Sequence, residues 1–295
     1  MISGYLFNLR AAGLFVLLVA FFAASASPAA QSRVTVVAFG LFGDQSVFES
    51  EAKGAARIVA NRFGGGPVIV RANTKRRGDA TVATLAATLQ SAAKGMDAES
   101  DILWLILTSH GSPAGLAVKA GSRQETLSPS ALVTMLNNTG VRHRVVIISA
   151  CYSGVFIPRL ADADTLVITA ADADHSSFGC RDRAEWTYFG DAFFNTALRR
   201  TTNLKDAFAL ARTLIRQREL RNGFTPSNPQ MSGGENIEPL LKGDRRGAIA
   251  DDAKAMRLGY FGSASTPTNW MRAELSNWFT IGRPVFGSSK ACPGL

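Results

Sequence analysis

Two short motifs of the chain could together carry acyl-transfer chemistry. His110 is followed by Gly111, and Cys151 begins the segment Cys151–Gly154. A thiol with a pKa of about 8.5 is only slightly ionised at neutral pH, so a nucleophilic cysteine needs a neighbouring base such as an imidazole. The imidazole can also protonate the departing amine. The glycine in each motif lets substrate backbone approach and leaves amide N–H groups free to bind an oxyanion.

Each motif directly follows a strongly apolar stretch. His110 comes after Asp101–Ser109, and Cys151 comes after Arg144–Ala150. Near-continuous apolar runs of this length are typical of strands buried on both faces of a sheet. A helix predicted over Ser128–Leu136 separates the two strands. If the strands are parallel and adjacent, both motifs reach the same sheet edge, and the thiol can face the imidazole.

Strands and helices alternate along the rest of the chain. Further strands are predicted at Arg33–Phe39, Pro67–Ala72 and Thr165–Ala171. Further helices are predicted at Ser50–Phe63, Ala80–Lys94, Phe189–Arg199 and Leu204–Arg218, whereas Gly223–Asn236 is rich in turn residues. This alternation predicts an α/β fold, a three-layer α/β/α sandwich around a mostly parallel sheet.

Two other histidines compete with His110 for the role of base. His143 comes just before its strand, which places it at the opposite end of the sheet. His175 lies in the loop after the next strand and stays an alternative base. A lone histidine or cysteine motif is more often structural, so the prediction depends on finding both motifs at strand ends.

The first residues of the chain are typical of a secretory signal peptide. A single charge, Arg10, precedes the apolar run Ala11–Ala24, and small residues follow it. The run is shorter than the roughly 20 residues that span a membrane, so we expect cleavage after Ala26 and export to the periplasm or the medium. An uncleaved membrane anchor is the alternative.

Charge and cysteine content restrict the partners and the redox chemistry. The formal net charge is +9, and removal of Arg10 leaves 9 − 1 = +8. Such a charge allows association with an anionic envelope surface or acidic substrates. Lys75–Arg77 is the compact basic tract, and we expect no nucleic-acid partner.

The chain has three cysteines, and Cys180 could pair with Cys292, which would leave Cys151 free. The alternative is that all three are buried, inert thiols.

At these residues the chain resembles the legumain (asparaginyl endopeptidase) family of cysteine peptidases, within the caspase and hemoglobinase-like clan. Four blocks occur in the family's order: Leu107–Ser112 followed by Gly115 and Leu116, Ala150–Gly154, Ser176–Cys180, and Tyr188–Asp191. The resemblance implies a caspase-like fold and an exported endopeptidase that cleaves peptide or protein substrates without a metal or cofactor. The resemblance accounts for a peptidase domain at 33–240. The leader adds a signal peptide at 1–26, and the remaining residues at 241–295, which the resemblance does not cover, are expected to form an extension that packs on the main domain.

The resemblance also implies roles for individual residues. Cys151 would form a thioester with the substrate, His110 would act as general base and acid, and the amides of Gly111 and Cys151 would form the oxyanion hole. The residues implied to border the primary specificity pocket are Ser149, Ser176, Ser177 and Asp191.

The pocket departs from the family pattern in two respects. Plant and animal legumains have an acid two residues before the nucleophile, where this chain has Ser149, and their arginine-containing segment after the first strand has no counterpart here. Selectivity for asparagine is therefore not expected. With Asp191 as the acid, a small polar or basic residue before the scissile bond is predicted. Two other functions stay open: a transpeptidase or transamidase with the same dyad, and an inactive caspase-like binding protein.

Overall fold

The computed structural model of the protein describes residues 32–243 of its 295 residues. The predicted leader at 1–26, nearly all of the predicted extension at 241–295, and Cys292 lie outside the described residues. Among residues 32–243, no helix is both long enough and apolar enough to cross a membrane.

The strands of the described part fall into two sheets. They are β1 (Val34–Gly40), β2 (Val68–Ala72), β3 (Ile102–Thr108), β4 (Gly111–Ser112), β5 (Gly115–Ala120), β6 (Arg123–Leu127), β7 (His143–Ser149), β8 (Thr165–Thr169) and β9 (Gln230–Ser232). The larger sheet has the order β2-β1-β3-β7-β8-β9, and the smaller has the order β4-β5-β6. Neighbouring strands of the larger sheet are parallel except β8 and β9, so the sheet is mostly parallel, as predicted.

Helices connect these strands. They are α1 (Ser46–Phe63), α2 (Val82–Ala93), α3 (Pro129–Asn137), α4 (Ile157–Leu160), α5 (Tyr188–Gly190), α6 (Leu198–Arg200), α7 (Leu204–Arg221) and α8 (Ile237–Gly243). A 3₁₀ segment at Ser153–Phe156 precedes α4, and a π-helical segment at Asp191–Ala197 joins α5 to α6.

Two buried cores lie on opposite faces of the larger sheet. Successive strand residues point to opposite faces, so alternate residues of β3 enter different cores. Trp104 and Ile106 pack with α1 and α7, whereas Leu105 and Leu107 pack with α2, α3 and the smaller sheet. Helices therefore cover both faces of the sheet, and the predicted three-layer α/β/α sandwich is confirmed.

Most predicted elements are present, and their ends differ for identifiable reasons. Helix α1 begins at Ser46 rather than Ser50, because the Asp182 carboxylate accepts hydrogen bonds from the backbone N–H and hydroxyl of Ser46 at 3.1 Å each. This cap comes from a residue far along the chain. The prediction at Ser128–Leu136 is close to α3, where the Ser128 side chain accepts a hydrogen bond from the Ala131 N–H.

Two parts of the C-terminal half differ more from the prediction. The helix expected at Phe189–Arg199 is a composite of α5, the π-helical segment and α6, because an apolar spacing over two turns does not separate α-helical from π-helical winding. The turn-rich segment Gly223–Asn236 contains β9, whose three residues are too few to show a period of two.

Candidate active site

The carboxyl ends of β3 and β7 bring the two predicted motifs together. Thr108 and Ser149 are partners in the parallel register, and the Ser109 N–H donates to the Ser149 carbonyl oxygen at 3.2 Å. His110 and Cys151 each lie two residues beyond the aligned pair. The structure thus places both residues at one edge of the sheet.

Gly111 packs directly against Cys151. A side chain at position 111 would overlap the carbonyl oxygen of Cys151. The Ala117 N–H donates to the His110 carbonyl oxygen at 3.0 Å, so Gly111 and Leu116 form the next, non-hydrogen-bonded pair of the β4–β5 ladder. The Gly111 N–H therefore points away from β5, as an amide of an oxyanion hole must.

A tight turn follows Cys151. Tyr152 has φ of +54°, a left-handed conformation that is uncommon for a residue other than glycine. Its N–H donates to the His175 carbonyl oxygen at 2.9 Å, and a side chain at Gly154 would overlap the backbone of Asp172. These contacts hold the turn, which leaves Cys151 at the junction between β7 and the 3₁₀ segment.

The sulfur of Cys151 lies against the segment that contains Ser176 and Ser177. The Ser177 N–H donates to Sγ at 3.3 Å, the Ser177 hydroxyl lies 3.7 Å from Sγ, and the thiol donates to the Ser177 carbonyl oxygen at 3.5 Å. The Ser176 side chain also hydrogen-bonds with the thiol. Cys151 is buried, and burial raises the pKa of its thiol, with the serine hydrogen bonds acting in the opposite direction.

The imidazole of His110 is buried between two aromatic rings. Phe42 and Phe48 pack edge-to-face against it, with ring centroids at 4.6 and 5.1 Å. Burial lowers the pKa of His110 from 6.5 to about 4, so the imidazole is neutral at pH 7. A neutral imidazole keeps a lone pair on one nitrogen and can accept a proton.

Gln45 determines which nitrogen of His110 carries the lone pair. His110 Nε2 lies 2.5 Å from Gln45 Oε1. An amide oxygen only accepts hydrogen bonds, so Nε2 carries the proton and Nδ1 carries the lone pair. Nδ1 is buried and has no hydrogen-bond partner among residues 32–243. The arrangement therefore leaves Nδ1 as the basic nitrogen of the site.

The predicted pocket residues occupy two different surroundings. Ser176 and Ser177 contact the Cys151 thiol, and the buried Ser149 hydroxyl lies 3.2 Å from the Thr187 hydroxyl. Asp191 is instead engaged with α7 and its own helical segment. Its carboxylate accepts from Arg218 Nη1 at 3.1 Å and from Asn195 Nδ2 at 2.9 Å.

The two competing histidines lie in different places. His143 is the first residue of β7 and is therefore at the far end of the strand from Cys151. His175 is beside the site, and its Nδ1 lies 2.7 and 2.8 Å from the two carboxylate oxygens of Asp172. Among residues 32–243, no three His, Cys, Asp or Glu side chains form a cluster that could hold a metal ion.

Four residues at the site were not expected from the sequence. Phe42, Phe48 and Gln45 contact His110. Glu51 accepts a hydrogen bond from Thr108 at the end of β3. No motif marks Gln45 or Phe48. Glu51 did carry a signal, because it is a charged residue within the buried face of α1.

Comparison with known proteins gives the family. The sequence model described as the peptidase C13 family matches residues 80–237, which is more than half of the chain and includes His110 and Cys151. No curated protein matches the chain. Among solved structures, the chain is similar to a crystal structure of caspase-1 from Spodoptera frugiperda, with 13% sequence identity and a TM-score of 0.47, covering 69% of this chain and 86% of that chain. The chain belongs to the peptidase C13 (legumain) family and is a cysteine peptidase.

Proposed function

We propose that this cysteine peptidase cleaves peptide bonds through a thioester on Cys151, with His110 as general base and acid. The observation that carries the proposal is the register of β3 and β7. The register aligns Thr108 with Ser149. His110 and Cys151 each follow two residues later, so both lie beyond the same end of the sheet. The contact of Gly111 with the Cys151 carbonyl oxygen fixes the two strand ends against each other.

In the free enzyme both members of the dyad are neutral. Burial raises the pKa of the thiol and lowers the pKa of the imidazole, so a thiolate–imidazolium pair is disfavoured before substrate binds. The proton therefore moves from Sγ to His110 Nδ1 as Sγ attacks the scissile carbonyl carbon. The N–H groups of Gly111 and Cys151 donate to the resulting oxyanion.

Collapse of the tetrahedral intermediate breaks the C–N bond. The proton on Nδ1 passes to the departing amine, and the acyl group stays on Sγ as a thioester. Water then attacks the thioester carbonyl carbon and gives a proton to Nδ1. The C–S bond breaks, the proton passes from Nδ1 to Sγ, and the carboxylic acid leaves with the thiol regenerated. Throughout, the Gln45 side-chain oxygen holds Nε2–H, which keeps Nδ1 as the nitrogen that gains and loses the proton.

The pocket favours a small polar residue before the scissile bond. The side chains that surround the thiol are the uncharged hydroxyls of Ser176 and Ser177, with Ser149 nearby. The carboxylate of Asp191 is already neutralised by Arg218, which reduces its attraction for a basic substrate side chain. Of the two types of substrate residue expected from the sequence, small polar and basic, the small polar type therefore fits these surroundings better.

Export is also part of the proposal, and its support is the sequence of the leader. The run Ala11–Ala24 followed by small residues is typical of a cleaved signal peptide. Determining the N-terminus of the mature protein tests this directly. A mature chain that begins after Ala26 supports export, and an intact N-terminus in the soluble cell fraction contradicts it.

A peptide-library digestion tests the proposed reaction. The full chain is incubated with peptides in water enriched in ¹⁸O, and the products are identified by mass spectrometry. Hydrolysis places ¹⁸O in the new carboxyl group, and products cut after small polar residues should dominate. An added amine acceptor detects transfer, and incorporation of the amine in place of ¹⁸O would show that the enzyme is a transpeptidase.

Three variants assign the roles of the side chains. Cys151→Ala should abolish cleavage, and His110→Ala should lower kcat by about 10²- to 10⁴-fold, the usual contribution of a general base. His175→Ala is the matched control, since it removes the other imidazole near the site. A larger loss for His175→Ala than for His110→Ala would reverse the assignment of the base.

A further inference from the structure

Glu51 is a carboxylic acid buried directly behind the candidate site. It lies on α1 and is 0% exposed. Among residues 32–243, no lysine or arginine forms an ion pair with it. Burial without a cation raises the pKa of the carboxyl group, and such burial is unfavourable unless hydrogen bonds compensate for lost water.

Hydrogen bonds connect this carboxyl group to three separate segments. The Thr108 hydroxyl donates to Glu51 Oε1 at 2.9 Å, and the Thr187 N–H donates to Oε2 at 2.8 Å. The Ser149 hydroxyl is a third partner and also lies 3.2 Å from the Thr187 hydroxyl. The end of β3, the end of β7 and the residue before α5 therefore meet at one side chain.

These three segments carry the residues of the proposed mechanism. Thr108 comes two residues before His110, and Ser149 comes two residues before Cys151. Thr187 caps α5, because its side chain accepts a hydrogen bond from the N–H of the third residue of that helix. A displacement of any one partner of Glu51 would thus alter the relative positions of imidazole, thiol and pocket.

Helix α1 also contacts His110 directly. Phe48 lies three residues before Glu51 on the same face of α1 and packs against the imidazole. Gln45, immediately before the helix, binds Nε2. On the other side of the carboxyl group, a side chain at Gly190 would overlap Glu51, so α5 packs tightly against it. The carboxyl group therefore lies between the end of the sheet and α5.

We propose that Glu51 is a positioning residue that sets the geometry of His110, Cys151 and the pocket segment through Thr108, Ser149 and Thr187. This role depends on the proposed function, since the geometry matters only if the two residues react. Glu51 does not touch the substrate or the reacting atoms. Its removal should therefore lower the rate of the chemical step more than it weakens substrate binding.

Kinetics of four variants of the full chain test this role. Glu51→Ala removes the carboxyl group. Glu51→Gln keeps its shape and one acceptor oxygen and replaces the other oxygen with an NH₂ donor. Thr108→Val removes only the hydroxyl that donates to Oε1. Glu49→Gln is the matched control, because Glu49 lies on the same helix and pairs with Lys53 in partial contact with solvent. For each variant kcat and KM are measured with one peptide, and the fold is checked by near-UV circular dichroism.

The expected result is a separation of kcat from KM. Glu51→Ala should lower kcat by about 10²-fold, the effect of a displacement of about 1 Å at a reacting centre, with KM within about threefold. Glu51→Gln should keep most of the kcat that Glu51→Ala loses. Thr108→Val should lower kcat by about tenfold, and Glu49→Gln should have the kcat of the wild type.

Several results would overturn the role. A folded Glu51→Ala or Thr108→Val variant with the wild-type kcat contradicts it, as does an equal loss in the Glu49→Gln control. If Glu51→Ala does not fold, Thr108→Val decides the question by the same criterion. A wild type that hydrolyses no peptide contradicts the proposed function and this role together, whereas an active wild type with unaffected variants contradicts the role alone.

Discussion

Burial of a neutral His110 should make the stability of the protein depend on pH. Burial lowers the pKa of this imidazole from its ordinary 6.5 to about 4 in the folded protein. Between those values the unfolded chain binds the proton and the folded chain does not, so acid favours unfolding. The free energy of unfolding attributable to His110 is therefore fully present above about pH 6.5 and is lost as the pH falls toward 4.

The size of the effect follows from the two pKa values. Each factor of ten in proton affinity corresponds to about 1.4 kcal/mol, so the span from 6.5 to about 4 corresponds to on the order of 3 kcal/mol. A domain of ordinary stability has about 5 to 15 kcal/mol in total, so the change is large enough to measure.

Urea unfolding at a series of pH values isolates the contribution. Carboxyl groups titrate in the same range, so the useful quantity is the difference in unfolding free energy between the wild type and His110→Gln. This difference should fall by on the order of 3 kcal/mol between pH 7 and pH 4. The control variant His175→Gln retains His110. Its unfolding free energy should therefore fall between pH 7 and pH 4 as that of the wild type does. If the difference in unfolding free energy between the wild type and His110→Gln did not change with pH, a buried neutral imidazole at this position would be refuted.

Three further predictions concern the immediate surroundings of the dyad. Gln45→Leu removes the acceptor for Nε2–H, so the imidazole of His110 can take the tautomer with the proton on Nδ1. In steady-state assays kcat should therefore fall by about tenfold or more. An unchanged kcat would show that Gln45 does not orient His110. Gly111→Ala forces a methyl group into the Cys151 carbonyl oxygen and should lower kcat by about 10²- to 10³-fold, comparable with loss of an oxyanion donor, while circular dichroism shows a retained fold. Ser177→Ala removes a hydroxyl that lowers the pKa of the thiol, so the pH profile of alkylation at Cys151 by iodoacetamide should move to higher pH, and a move to lower pH would contradict the assigned hydrogen bond.

The central sheet could be predicted from the sequence because its strands are buried on both faces. Every residue of β1 and β3 is buried, and such strands appear in the sequence as unbroken apolar runs. The parallel pairing of β3 with β7 was the condition on which the prediction of the site depended, and the structure has this pairing. Since the two motifs stand immediately after these runs, their meeting at one sheet edge followed as well.

Contacts between segments far apart in the sequence could not be predicted in the same way. Gln45 and His110 are 65 residues apart, and Thr187 and Glu51 are 136 residues apart. Neither pair shows a spacing pattern, because the contact depends on how α1 and the segment before α5 pack on the sheet. The ion pair of Asp191 with Arg218 is a similar case, and it neutralises the acid on which the prediction of a basic substrate residue was based.

The strands of the smaller sheet and β9 were also not predicted, and β6 and β9 are the polar ones among them. β6 has four of its five residues at least partly exposed, and β9 has three residues that are all at least partly exposed. Neither shows an alternation of apolar and polar residues long enough to indicate a strand. Their positions are determined by hydrogen bonding to β5 and β8.

Labelling of the thiol by an acyl electrophile tests the central claim most directly. A peptide with an electrophilic carbonyl group is incubated with the full chain, and the modified residue is located by mass spectrometry in the wild type, Cys151→Ala and His110→Ala. The mechanism predicts one label on Cys151, none in Cys151→Ala, and labelling slowed by about 10²-fold or more in His110→Ala. A label on Cys180 or Cys292 with Cys151 unmodified, or an unchanged rate in His110→Ala, would contradict it.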